Sequence, residues 1–169
     1  ALALTAAAGA WAFYGSYTGE SGSFALENGY MLYLYQLPLI NTIFFPLMCT
    51  LIASRLAEPE HSGGGFRRLC VIVERGRVYD AKLIYGIIPV LLCAVLFCAA
   101  AAVSGQIAGF TKPQPVKLYL IHLLFTLIPT AALYVFQHSL SMLIENQAVP
   151  LCVGALGEFM GLFSMFLPQ

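Results

Sequence analysis

One polar island between two long apolar runs constrains this chain more than any other feature. Arg55 to Lys82 (RLAEPEHSGGGFRRLCVIVERGRVYDAK) carries Arg55, Glu58, Glu60, Arg67, Arg68, Glu74, Arg75, Arg77, Asp80 and Lys82, ten of the sixteen acidic and basic side chains. Behind it Gly29–Ser54 is almost wholly apolar, and so is Leu83–Val103 ahead of it. An α-helix needs about 20 apolar residues to cross the hydrocarbon of a bilayer. The pattern predicts two membrane helices joined by a loop in water. Composition agrees, since 9% of the 169 residues are charged, against about 25% in a soluble domain. Mean hydropathy is +0.82.

The same reasoning extends along the chain. Ala1–Tyr14 is apolar but too short to span, and is expected to be the outer half of a span that begins further upstream. Gly15–Asn28 has the Gly, Ser and Thr of a loop, with Glu20 and Glu27 and no basic residue. Further spans are expected at 29–54, 83–103, 118–140 and 148–168, with loops at 104–117 and 141–147. Pro38 and Pro46 sit inside the 29–54 span, and Asn41 and Thr42 between them are candidates to bond the carbonyls that proline frees. Tyr30, Tyr33 and Tyr35 gather at its start, as interfacial aromatics do. Gly157 and Gly161 form a GxxxG, whose ordinary meaning is close helix packing. The expected class is all-α, a polytopic transmembrane helical bundle.

Sidedness follows from the basic residues. The island holds six Lys and Arg, the 15–28 loop none, and the 104–117 loop only Lys112 and Lys117. Short loops rich in Lys and Arg stay in the cytoplasm. The 55–82 loop is therefore expected inside and the loops on either side of it outside.

Little here supports catalysis. The sequence has no GxxxxGK[ST], HExxH or GxSxG, and Gly63–Gly65 lacks the strand before it and the GK[ST] after it that a phosphate cradle requires. The five cysteines lie mostly in apolar runs without zinc spacing, so no metal site is expected. His122 and His138 are too far apart along one helix to share an ion, and each is more simply a packed histidine. An ionisable residue within a span is a functional candidate because a charge in hydrocarbon is costly. Glu158 is the clearest instance, and its simpler reading is a carboxyl packed against a polar neighbour.

The island has its own pattern. A break is expected at Pro59, then a Gly-rich turn, then a short helix with Phe66, Leu69, Cys70 and Val73 on one face and Arg67 and Arg68 off it. A turn at Gly76 would lead back to the membrane. Such a helix either lies on lipid headgroups or docks on a cytoplasmic partner. These residues leave both open.

The segment SRLAEPEHSGGGFRRLCVIVERGRVYDAKL, following LPLINTIFFPLMCTLIA, resembles the ABC-2 type transporter permeases, and within them the lantibiotic-protection subunits of Gram-positive bacteria. The likeness rests on Leu37, Pro38, Leu39, Asn41, Pro46 and Leu47 entering the span, then Glu60, His61 and Gly63–Phe66, then Tyr79, Ala81 and Lys82. Its specific part covers Leu37–Lys82, and Phe66 stands where the family pattern has Trp. The resemblance implies a six-span permease subunit with both ends cytoplasmic, of which this sequence would be a piece. It implies a second permease subunit, identical or not, and a separate ATPase chain that binds ATP and magnesium. The cargo it implies is an antimicrobial peptide exported or expelled at a bacterial cell membrane. It would make the island the coupling element, with Glu58 and Glu60 at its entry and Phe66, Arg67, Arg68 and Leu69 in its helix. The competing expectation is a non-transporting anchor or sensor whose basic loop binds lipid or another protein. Neither involves nucleic acid.

Overall fold

The computed structural model describes residues 22–61, 73–107, 110 and 112–166. Its helices are α1 (Gly22–His61), α2 (Arg75–Ile107), α3 (Val116–Leu143) and α4 (Ala148–Phe166), with no strand among the described residues. Leu37–His61, Arg75–Val103 and Val116–Leu143 are long and apolar enough to cross a bilayer, and Ala148–Ser164 is a shorter apolar helix. The all-α membrane class expected above is the class observed.

The first three helices are longer than the predicted spans, and three local expectations change. Gly22–Asn28 is helix, not loop, because FALEN is a run of competent helix formers with no proline to interrupt it. Pro59 does not break α1, which continues to His61. The N–H that Pro59 lacks would have served the Arg55 carbonyl. Arg55, Leu56, Ala57 and Glu58 favour helix, and only Glu60 and His61 follow Pro59 in α1. Gly76 makes no turn either. It lies in the first turn of α2, where Arg77 and Val78 donate their N–H groups to the Glu74 carbonyl at 3.1 and 3.3 Å. The polar island is thus largely helix at both ends. Residues 62–72, with Phe66, Arg67, Arg68 and Leu69, lie outside the described residues, as do 1–21.

The described residues fall into two compact units, one within Ala1–Phe44 and Leu92–Ile128, the other within Phe45–Leu91 and Pro129–Gln169. In the first, Tyr30 meets Phe110 and Tyr119 edge to face, with centroids 5.0 and 6.5 Å away. Lys112 donates to Asn28 at 3.0 Å, and Gln106 to Gln114 at 3.1 Å.

In the second unit Cys49, Ala53 and Ala57 present a fully buried small-residue face of α1, and Val90 and Tyr134 are as deeply buried. Small side chains at a spacing of four let helix backbones approach closely. Gln137, at 1% exposure, donates to the Pro150 carbonyl at 2.6 Å. The joint before α4 is closed by its own side chains. Gln147 donates to the carbonyls of Ser141 and Ile144, both at 3.0 Å, and Asn146 accepts from the Ala148 N–H at 3.1 Å. These bonds occupy groups that helix ends leave open.

Gly154 and Gly157 of α4 differ in their surroundings. A Cβ at Gly154 would stand 2.8 Å from Thr50 Cγ2 on α1, whereas one at Gly157 meets nothing within 4 Å among the described residues. Close packing within the chain occurs at Gly154. Gly154→Ala is expected to destabilise the full-length protein by about 1–3 kcal/mol, as overpacking does. Gly157→Ala should stay within about 0.5 kcal/mol. Thermal midpoints in detergent would distinguish them, and equal shifts would contradict the Gly154–Thr50 contact.

Candidate functional site

The second unit places a buried ion pair where the island leaves and re-enters the apolar runs. Glu60, one residue before the end of α1, is only 5% exposed. A carboxylate removed from water demands a charged partner. Lys82 of α2 supplies it, forming a salt bridge with Glu60 and donating also to the Leu56 carbonyl. The second contact brings a cation to the C-terminal end of α1, the end its dipole favours. Glu58 takes the opposite course, its half-exposed carboxylate pairing with Arg55 at 3.1 Å. The two acids read together as the island's entry therefore differ: Glu60 ties helix to helix, and Glu58 faces water.

Around the pair the helix ends are joined by further bonds. His61 Nε2 lies 3.0 Å from the Ser141 carbonyl, which only accepts, so Nε2 carries the proton. Ser139 donates to the Val135 carbonyl at 2.8 Å, which leaves its oxygen to accept from the Tyr79 hydroxyl, also at 2.8 Å. His138 is fully buried, its ring 5.0 Å from that of Tyr79 and stacked on Tyr134 at 5.8 Å. A cavity of about 590 Å³ opens among these ends, lined by His61, Arg75, Tyr79, Ser139, Leu143 and Glu145.

The first unit holds a polar cluster within the apolar spans. Asn41 donates to Thr126 at 2.9 Å and meets His122 Nε2 at 3.1 Å, while the Thr126 hydroxyl donates to the His122 carbonyl at 2.9 Å. Asn41 therefore bonds across helices and does not serve the proline carbonyls. Thr42 bonds back to Pro38 at 2.8 Å and, in the second unit, Thr50 to Pro46 at 2.9 Å. Those are not the carbonyls of Leu34 and Thr42, which the prolines deprive of a donor. Glu158 is half-buried and makes no hydrogen bond or ion pair among the described residues. No three His, Cys, Asp or Glu side chains come together there.

Sequence reasoning names Glu58, Glu60 and Asn41 but not Lys82, His122 or Thr126 as their partners. For the ion pair a signal exists: an acid just after one apolar run and a base just before the next. Asn41 and His122 are 81 residues apart, and no spacing rule joins them.

Long apolar helices bracketing a charged connection define a multi-pass membrane protein. The family profile described as ABC-2 family transporter protein matches residues 1–161. The chain belongs to that family, whose members are membrane subunits of ABC transporters and not themselves the catalytic part. Membership implies an ABC ATPase partner and dimerisation in the membrane. No curated protein and no solved structure matches the chain significantly.

Proposed function

We propose that this subunit exports, or expels from the bilayer, an antimicrobial peptide at a bacterial cell membrane, driven by ATP and magnesium on a separate ATPase chain. The observation that carries the coupling half of this reading is the buried Glu60–Lys82 pair, which joins the two helices from which the island springs. An ATPase pressing on the island through Phe66, Arg67, Arg68 and Leu69 would thereby act on α1 and α2 together. Glu58, exposed beside Arg55, adds charge to the contacting face. The island is then cytoplasmic, as its six basic residues require. Asn41 with His122 and Thr126 supplies hydrogen-bonding groups inside the spans, where a peptide's polar backbone would need them. Glu158 is a second intramembrane candidate. The peptide itself rests on the family likeness of Leu37–Lys82 to lantibiotic-protection subunits.

Capture of the ATPase by the full-length protein tests the coupling role. Phe66→Ala/Arg68→Ala should reduce capture by at least about tenfold, a loss of about 1.4 kcal/mol, with normal membrane insertion. Equal capture by wild type and variant would move the docking surface elsewhere. Absence of capture by either would favour an anchor or sensor subunit. Protection of cells against a panel of lantibiotics, lost in Asn41→Leu, tests the cargo separately.

A further inference from the structure

We infer that the cavity at the ends of α1, α2 and α3 binds the headgroup of a zwitterionic phospholipid bearing a primary amine, with its phosphate at Arg75 and its ammonium at Glu145. Three observations lead there. The first is depth. The spans Leu37–His61, Arg75–Val103 and Val116–Leu143 each have one end on this cavity, at His61, Arg75 and Leu143. Apolar spans end where hydrocarbon gives way to headgroups. A cavity bounded by three such ends opens at headgroup level.

The second observation is charge. Arg75 and Glu145 line the cavity, both are exposed, and neither forms an ion pair among the described residues. The neighbouring Arg77 is satisfied by Glu74 at 3.5 Å and Lys82 by Glu60. The cavity thus offers one cation and one anion. A guanidinium is well suited to phosphate. A headgroup that is only anionic would face Glu145 uncompensated.

The third concerns the hydrogen-bonding character of the wall. Because Ser139 gives its proton to Val135 and accepts one from Tyr79, the Tyr79 oxygen is left as an acceptor. An ammonium with three N–H donors can use that acceptor and the Glu145 carboxylate, whereas a choline headgroup has no N–H to give. Leu143, 80% exposed at the rim, provides apolar surface for the acyl chains.

The test is native mass spectrometry of the full-length protein released from detergent with equimolar phosphatidylethanolamine, phosphatidylcholine and phosphatidylglycerol. Wild type should retain the ethanolamine lipid roughly tenfold over the other two. Arg75→Gln should abolish that preference. Glu145→Gln should shift it toward phosphatidylglycerol, a gain that misfolding cannot imitate. Equal retention of the three lipids by wild type would overturn the assignment, as would preferences unchanged in both variants. Free phosphoethanolamine competing as well as the lipid would also overturn it, since the site would then serve a soluble ligand.

Discussion

Lys82→Met should cost the protein about 3–5 kcal/mol, because it leaves the Glu60 carboxylate buried without its counter-charge. Glu60 is the most enclosed acid in the second unit's helix ends, with its side chain 6% exposed, while that of Lys82 is 20% exposed. The methylene stem of Met replaces that of Lys, so lost packing contributes little and lost charge most of the effect. The decisive form of the measurement is a double-mutant cycle on thermal midpoints in detergent. Glu60→Gln/Lys82→Met removes both charges and should be much less damaging than the sum of the single changes. Additive losses would mean that the two side chains do not interact.

Gly86→Ala carries the second large effect. A Cβ at this position would collide with the Tyr134 hydroxyl and stand 2.6 Å from Leu56 Cδ1 and 2.7 Å from Tyr134 Cζ. Tyr134 is fully buried and stacked against His138, so its ring has little room to withdraw. Overpacking of this kind costs about 1–3 kcal/mol. Adding Tyr134→Phe removes the nearest atom and should recover part of the loss in the same melting assay. No recovery would locate the strain at Leu56 instead.

Much of the fold is legible in the amino-acid order, because membrane helices are announced by apolar length and loops by charge. That logic identifies apolar stretches and says less about where a helix ends. Hydrogen bonding along a backbone continues past the end of an apolar run, so α1 extends through Arg55–His61 and α2 begins at Arg75, both inside the segment that charge alone marks as loop. Pro59 and Gly76 mislead for a related reason. Each disfavours a helix interior, and each sits close to a helix end, where the penalty is small.

The candidate site is legible only in part. Glu60 stands out as an acid beside a Gly-rich run, but its partner is fixed by how two helix ends pack. Asn41 is conspicuous as an amide between two prolines, and its hydrogen bonds instead go to α3. Gly157 is conspicuous through its spacing from Gly161, while Gly154 is the glycine that packs closely, through the position of Thr50. In each case the residue is visible and its neighbour is not, since long-range pairing leaves no periodic trace.

The ion pair between residues 22 positions apart also has an entropic consequence. Bringing the ends of a flexible segment together costs about (3/2)RT ln n for n residues. With Glu60 held to Lys82, that cost is met while the membrane subunit folds, before any ATPase arrives. A partner then meets a segment whose two ends are already held together, and less of its binding energy goes into bringing them there. A free peptide of residues 61–81 should accordingly bind the ATPase more weakly than the same residues do in the intact protein. The ratio of the two affinities would measure how far the membrane helices act as a template for their own connection.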